Sequence, residues 1–313
     1  MEQIIEPISR ELIKSELTEA RFIRETNNGG NYLYEITAHN APHTMQEIGR
    51  LRELTFRSAG GGTGHGVDID EYDISANPYK QLIVWDPADQ EIIGGYRWHI
   101  VDPTKGEEMN LSTTTLFVFS EKFKKEYLPS LIELGRSFVQ PKYQSAIRNG
   151  KGLYALDNLW DGLGALVVRN PGIKYFFGKV TMYRSYNREA RNMLLYFMEK
   201  YFTDDDKLVV PITPMELDID RRRMATVFTG KNYKDDYKIL SHHIRELGEH
   251  IPPLINSYMN ISPSMKVFGT IINPHFGDVE ETGIMITISD IYENKVERYI
   301  LSFFKRRFKH LRK

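Results

Sequence analysis

Two charged side chains stand where a strand interior calls for apolar ones: Glu133 and Arg136, within Ile132-Glu133-Leu134-Gly135-Arg136-Ser137-Phe138-Val139-Gln140-Pro141. Leu134, Phe138 and Val139 suit a buried β-strand, and an unpaired buried charge costs about 3 to 5 kcal/mol once its partner is removed. The two are therefore either a structural ion pair at a strand end or part of a functional site. A second concentration of chemistry lies upstream, in Gly60-Gly61-Gly62-Thr63-Gly64-His65-Gly66 followed by Val67-Asp68-Ile69-Asp70-Glu71-Tyr72-Asp73. The glycines suggest a phosphate cradle, but no Gly-Lys-Ser/Thr ending and no helix-forming run come after them, so a P-loop is excluded. An EF-hand loop fails too, because Tyr72 falls at its fifth position and Asp73 at the sixth, where glycine is needed. Left open are a mobile loop that covers a substrate, a carboxylate cluster that receives a cation, and a solvated flexible loop. The nine histidines are dispersed except for His242 and His243, which point in different directions on a helix, so no metal site is expected. The chain has no cysteine, which excludes disulfides, thiolate metal sites and a cysteine acyl-enzyme.

The elements that must position these residues read as an α/β chain. Residues 8–25 show a helical pattern in Leu12, Ile13, Leu17, Ala20 and Phe22 with a Ser9 cap, and Asn27-Asn28-Gly29-Gly30-Asn31 stops it. Residues 32–38 form a strand, and residues 44–57 a helix capped by Thr44 that turns Met45, Ile48, Leu51, Leu54 and Phe56 inward and presents Arg50, Arg52 and Arg57 to the glycine-rich and acidic stretch beyond it. Residues 81–85 and 91–101 are antiparallel strands, the first nearly all apolar and the second carrying Gly94-Gly95-Tyr96-Arg97. After residues 116–127, a short strand and helical turn, comes the charged strand itself. A polar loop over 142–152 leads to a helix at 153–168, a strand at 175–182 and a second amphipathic helix at 187–201. A short strand at 207–212, a charged helix at 232–247 and a strand pair at 266–272 and 282–288 complete the order. Without a repeat or low-complexity linker, residues 1–297 read as a single domain with an N-terminal helical arm.

The 313 residues, 41% hydrophobic, suffice for one sizeable core. No stretch approaches the ~20 apolar residues of a membrane span, and the acidic start Met1-Glu2-Gln3-Ile4-Ile5-Glu6 is unlike a signal peptide, so a cytoplasmic protein is expected. The net charge of −1 conceals an asymmetry: Arg298, Lys305, Arg306, Arg307, Lys309, Arg312 and Lys313 are all positive, which leaves −8 on residues 1–297. With Tyr299, Ile300, Leu301, Phe303, Phe304, Phe308 and Leu311 among them, residues 298–313 read as a basic amphipathic tail for an anionic membrane surface or an acidic protein. No nucleic-acid motif accompanies it.

Strand, glycine-bearing loop, helix, strand, helix is the core order of the GNAT-type acyltransferase fold, a central, mostly antiparallel mixed sheet flanked by helices. Within it the chain resembles the N-acyltransferases that attach a 3-hydroxy fatty acid from acyl carrier protein to an amino acid, the ornithine and glycine lipid synthases, some of them termed hemolysin-like. The likeness is carried by Glu133-Leu134-Gly135-Arg136-Ser137-Phe138-Val139, Ala155-Leu156-Asp157-Asn158-Leu159-Trp160-Asp161-Gly162-Leu163, Tyr175-Phe176-Phe177-Gly178-Lys179-Val180, Ile251-Pro252-Pro253-Leu254-Ile255-Asn256-Ser257-Tyr258 and Phe268-Gly269-Thr270. It is greatest to the glycine lipid synthases. A sparser likeness links the acyl-homoserine-lactone synthases: Arg52 and Phe56 match their arginine-x3-phenylalanine helix, Asp70 and Asp73 their acidic pair, Arg97 their strand arginine, and Glu133 with Arg136 their glutamate-x2-arginine strand. His65 and Asp70 also have the spacing of glycerolipid acyltransferases, whose downstream glycine-rich partner motif is missing.

The resemblance implies direct attack of an amine on a thioester. Glu133 is then the general base, and backbone N–H groups near 137–139 supply an oxyanion site if the strand bulges there. Arg97 and Arg136 hold the network or the substrate carboxylate, Arg52 helps to complete that network, Asp70 and Asp73 position the amine loop, and Tyr183 or Tyr186 protonates the leaving thiolate. Donor binding falls to Phe138, Val139, Arg148, Gly150 and Gly152. Because Arg148-Asn149-Gly150-Lys151-Gly152 meets the GNAT pyrophosphate pattern only in part, acyl-phosphopantetheine on acyl carrier protein is favoured over acyl-CoA as donor. Lys142, Arg148, Lys151 and the tail are the basic groups expected to meet the acidic carrier protein. No bound cofactor is expected. An O-acyltransferase acting on the product is a further partner, and the tail offers a peripheral place on the inner membrane. Rival readings are an acyl-homoserine-lactone synthase, opposed by the extra region beyond residue 205, and a non-enzymatic lytic or lipid-binding protein, opposed by the missing pore segment.

Overall fold

The computed structural model describes residues 1–101, 110–144 and 151–304. In chain order the elements are α1 Arg10–Glu16, β1 Phe22–Glu25, β2 Tyr32–Ile36, α2 Pro42–Ser58, α3 Glu71–Ile74, β3 Lys80–Asp86, β4 Glu91–His99, β5 Phe117–Phe119, β6 Leu131–Val139 and α4 Ala155–Arg169. They continue as β7 Tyr175–Met182, α5 Arg188–Tyr201, β8 Val209–Pro211, α6 Arg221–Val227, α7 Tyr233–Glu246, α8 Pro253–Met259, β9 Lys266–Asn273, β10 Val279–Thr287 and α9 Glu293–Lys295. The chain divides into two compact units, one of Met1–Ser112, Ser130–Lys174 and Tyr292–Lys313, the other of Thr113–Pro129 and Tyr175–Ile291.

In the first unit β1, β2, β3, β4 and β6 pair in that order, each antiparallel to the next. Strand β3 is buried from Gln81 to Asp86, as its apolar run requires. Gly94 and Gly95 allow a close strand approach, since a Cβ at Gly94 would lie 2.3 Å from the Phe138 carbonyl oxygen and one at Gly95 2.6 Å from that of Leu82. Helix α2 begins with Pro42 in its first turn, and the Glu16 carboxylate of α1 accepts from His43 N at 3.0 Å and Thr44 N at 2.7 Å. Thr44 is thus inside the helix, and a side chain distant in sequence does the capping expected of it. Helix α4 lies on β3 and β4, where a Cβ at Gly162 would meet Leu82 and the Tyr96 hydroxyl.

The single helix expected over residues 8–25 is not formed. Helix α1 stops at Glu16, Ser9 makes no cap bond, and β1 pairs with β2 around a turn closed by Thr26 N on Asn31 O at 2.8 Å. The Phe22 ring meets Tyr32 and Tyr34 edge-on, both at 5.6 Å, so cross-strand aromatic packing prevails over the helical spacing. At the other end, residues 293–304 are helical, and Tyr299 and Phe303 are buried. The Tyr299 hydroxyl donates to Asp157 at 2.8 Å, Arg298 pairs with the same carboxylate at 2.7 Å, and the Tyr299 carbonyl sits where a Cβ at Gly164 would be. The first part of the expected tail is therefore packed on α4; residues 305–313 lie outside the described residues.

In the second unit β7, β10 and β9 form an antiparallel sheet, and β5 pairs antiparallel with β8. Phe119, Phe123, Phe177 and Phe268 make its aromatic core. Helix α5 starts where the sequence places it, with the Asn187 side chain accepting from Glu189 N at 2.9 Å and Ala190 N at 3.2 Å.

Candidate active site

Glu133 is fully buried on β6. Its Oε2 accepts from the Tyr79 hydroxyl, from Ser112 N at 3.0 Å and from Ser112 Oγ at 3.2 Å. Directly across the ladder stands His99 of β4, whose ring stacks on that of Tyr79 with centroids 4.6 Å apart. Three residues further along β6 the regular pairing breaks. Gly95 pairs with Phe138 and Arg97 with Gly135, so β6 carries one residue more than β4 in between. Arg136 there adopts φ +50°, the left-handed region that costs a side chain other than glycine about 1 to 2 kcal/mol. A bulge is expected from the sequence near residues 137–139; the structure has one at Arg136 and Ser137, with Phe138 and Val139 already back in the ladder.

The charge of Arg136 is balanced by residues of the loop before α3. Its Nε lies 2.8 Å from an oxygen of the fully buried Asp68, and its Nη2 lies 3.6 Å from Asp70. Asp70 also accepts from Arg97 Nη1 at 2.6 Å and caps α3 through Tyr72 N at 3.1 Å. Asp73 Oδ2 is 3.1 Å from both Arg97 Nη1 and Arg52 Nη1, and the second terminal nitrogen of Arg52 reaches Gln81 Oε1. Gln81 Nε2 returns to Asp73 Oδ1 at 2.9 Å. Three arginines thus interlock with three aspartates, a neutral set in which each buried charge has a partner. Burial pushes the Asp73 carboxyl up, but Arg52 and then Arg97 outweigh it and hold it at about 2. Burial likewise opposes the Arg97 cation, and Asp73 and Asp70 overcome it, so its proton is held more tightly than in water. The Arg97 guanidinium also stands over the Tyr79 ring, 5.0 Å from its centroid, which joins the arginine network to the Glu133 group.

The structure therefore brings together Arg52, Asp70, Asp73, Arg97, Glu133 and Arg136, which the sequence scatters over eighty-odd positions. The two aspartates are occupied by arginines rather than left open to an amine. Phe138 is buried next to the bulge, Val139 and Gly152 are half-buried, and Arg148 and Gly150 lie outside the described residues, as does the Lys151 side chain. Lys142 pairs with Glu91 at 2.7 Å. Tyr183 belongs to the second unit, just after β7, where burial and the Glu281 carboxylate push its phenol up to about 12. Tyr186 donates its hydroxyl to His250 O at 3.0 Å. Sequence reasoning missed Asp68, Tyr79, Gln81 and Ser112. Asp68 opens the acidic run after the glycines, and Tyr79 and Gln81 flank the start of a legible strand, but neither pattern names their partners.

The glycine-rich loop is neither an open cradle nor a partner for Asp70. Thr63 N, Thr63 Oγ1 and Gly64 N all donate to Glu53 of α2, at 2.9, 2.8 and 2.9 Å. The loop thus wraps a carboxylate of its own chain. The exposed His65 faces Glu2 at 3.1 Å. Among the described residues no three His, Cys, Asp or Glu side chains are grouped to hold a metal ion, and no helix is long and apolar enough to cross a membrane.

Comparison with known proteins matches residues 51–151 to the acetyltransferase (GNAT) domain family. That stretch contains Arg52, Asp70, Asp73, Arg97, Glu133 and Arg136. The chain is 54% identical over 308 residues to the glycine N(alpha)-acyltransferase of Phocaeicola vulgatus, covering 97% of this chain and 94% of that one. It is 55% identical over 308 residues to the glycine N(alpha)-acyltransferase of Bacteroides thetaiotaomicron, covering 97% and 91%. Among solved structures it is similar to the CoA-dependent acyl-homoserine lactone synthase BjaI with MTA, at 13% identity and a TM-score of 0.39, covering 88% of this chain and 89% of that one.

Proposed function

We propose, for a chain that belongs to the family of the glycine N(alpha)-acyltransferases and is an acyltransferase with a GNAT domain, that its reaction moves a 3-hydroxy fatty acyl group from the phosphopantetheine of acyl carrier protein to the amino group of glycine. The observation that carries the mechanism is the placement on one strand of a buried carboxylate, Glu133, and a left-handed bulge at Arg136. Glycine is an ammonium ion at neutral pH and has no lone pair to attack with. Glu133 takes its proton, directly or through a water, and the free amine adds to the thioester carbon. The oxygen that gains charge in that step is met by backbone N–H groups at the bulge, Arg136 and Ser137, just before the point where Phe138 and Val139 rejoin the ladder opposite Gly95 and Gly94. Collapse of the tetrahedral species breaks the carbon–sulfur bond; the attacking nitrogen sheds the second of its two surplus protons, which leaves on the sulfur as the thiol, and Glu133 gives up the first to solvent. Arg136, the least buried of the three network arginines, is the one fitted to meet the substrate carboxylate; Arg52 and Arg97 hold the frame.

The donor assignment rests on the partial fit of residues 148–152 to a pyrophosphate loop, which suits one phosphodiester better than the diphosphate of coenzyme A. The basic residues beyond 304 serve either the acidic carrier protein or the anionic membrane that receives the product, and an O-acyltransferase acts next in the same lipid pathway. The test is purified protein with 3-hydroxyacyl carrier protein or the matching acyl-CoA and a panel of single amino acids, read as N-acyl product by mass spectrometry. N-acylglycine from the carrier-protein donor is expected, and Glu133→Gln, folded by circular dichroism, is expected to lose about 100-fold or more in kcat. Wild-type turnover by that variant removes Glu133 from the base role, and product with no amine overturns the activity.

A further inference from the structure

A buried carboxylate that works as a base has to be stable in two protonation states, and its surroundings must serve both. The group around Glu133 has the parts for this. Tyr79 is fully buried, and its ring is fixed on several sides. His99 stacks on it at 4.6 Å, the Arg97 guanidinium stands 5.0 Å from its centroid, and Tyr72 of α3 meets it edge-on at 5.6 Å. Its backbone N–H is tied to Tyr72 O at 2.8 Å. The ring has no room to swing, whereas its hydroxyl hydrogen is free to rotate, and two acceptors lie within its reach. One is Glu133 Oε2; the other is the Asn110 carbonyl oxygen, at 3.2 Å. Ser112 N lies between the two groups, 2.9 Å from the Tyr79 oxygen and 3.0 Å from Glu133 Oε2.

We propose that Tyr79 is the positioning residue for Glu133, and that its hydroxyl changes acceptor as the carboxylate gains and loses the substrate proton. This rests on the reading of Glu133 as general base. With Glu133 ionised, the Tyr79 O–H donates to Oε2, and Ser112 N–H and Oγ–H add to it. When Glu133 accepts the proton of the ammonium, the Tyr79 hydrogen turns to Asn110 O, and the tyrosine oxygen accepts from the new carboxyl O–H. The tyrosine neither gains nor loses a proton, and the one proton moved is that of the substrate nitrogen. Burial, with Glu133 close by, pushes the phenol well above its ordinary range, in keeping with a hydroxyl that stays neutral throughout. Among the described residues, the charged and titratable groups facing the pair are Arg97 and His99 from β4 and Tyr72 from α3, besides Glu133 and Tyr79 themselves. A phenylalanine in place of Tyr79 would keep the ring stack and remove the switching hydroxyl, while Ser112 N–H, which loses the tyrosine oxygen as an acceptor, keeps Glu133 Oε2 at 3.0 Å.

The experiment is the pH dependence of glycine acylation by the full chain. Loss of a hydrogen bond to an ionised group is worth about a 10- to 100-fold change in the balance it supports. Tyr79→Phe is therefore expected to lower kcat about 10- to 100-fold, to change KM for glycine less than about threefold, and to move the acid limb of kcat/KM up by about one pH unit or more. A fluorotyrosine at the same position, a stronger donor that keeps the hydroxyl, is expected to move that limb the other way and serves where the phenylalanine variant does not fold. A limb that stays in place in the folded variant overturns the proposal, even if kcat falls, because a purely structural role lowers activity without moving the profile. Glu133→Gln run alongside separates the two readings. If that variant is dead while Tyr79→Phe has the wild-type profile, only the Tyr79 role falls; if it is fully active, the base reading falls and the Tyr79 role with it.

Discussion

Replacing Asp73 by asparagine takes one negative charge out from between two buried arginines. Asp73 Oδ2 lies 3.1 Å from Arg52 Nη1 and 3.1 Å from Arg97 Nη1, and all three side chains are all but inaccessible to solvent. The carboxyl is held at about 2 against an ordinary 3.8, a gap equivalent to about 2 kcal/mol of folding free energy. Because the folded value is the lower one, that stabilisation is complete above about pH 5 and is lost as the pH falls through 3.8 toward 2. At pH 7 the asparagine variant leaves the two arginines short of a charge, a change that costs about 3 to 5 kcal/mol at a buried pair. The lower end is expected, since Arg97 keeps Asp70 at 2.6 Å and Arg52 keeps Gln81. Urea unfolding of both chains from pH 7 down to pH 3 measures this directly. The asparagine does not titrate, so the stability gap between the chains should narrow, by about 1 kcal/mol at pH 3 and by about 2 were both still folded at pH 2. A gap below about 1 kcal/mol at pH 7, or one that stays constant with pH, would refute the claim that Asp73 is the carboxylate binding the network together.

Two further changes test the scaffold around the site. Arg136→Gly eases the left-handed backbone by about 1 to 2 kcal/mol but strips the buried Asp68 of its cation, for a net loss of about 2 to 3 kcal/mol; a variant as stable as the wild type in chemical denaturation would mean that the ion pair does not offset the strain. Gly164→Ala would set a methyl group 2.1 Å from the Tyr299 carbonyl oxygen, so the C-terminal helix must lift from α4; limited proteolysis should then cut within residues 293–304, and an unchanged digestion pattern would contradict this packing.

Much of the frame is legible in local pattern. The apolar run of β3, the periodicity of α4 and α5 and the misplaced charges of β6 are all readable from neighbouring residues, because burial on one face repeats every two or 3.6 positions. The likeness of Arg52, Asp70, Asp73, Arg97, Glu133 and Arg136 to a known charge pattern marked residues that the fold brings together, but not which would hold which. Where local pattern failed, a distant partner had decided. Phe22 joins a strand because Tyr32 and Tyr34 meet it there, and α2 is capped by Glu16 and not by its own Thr44. The same holds within the site. Asp68 is a ligand of Arg136, Tyr79 and Ser112 are the donors to Glu133, and Glu53 fills the glycine loop, only because the fold closes those distances. The sequence by itself determined which side chains carry charge and which segments are driven to bury themselves. Tertiary structure alone decided which charges meet, since a buried charge is tolerated only beside a partner, and that partner is found in space and not at any fixed spacing along the chain.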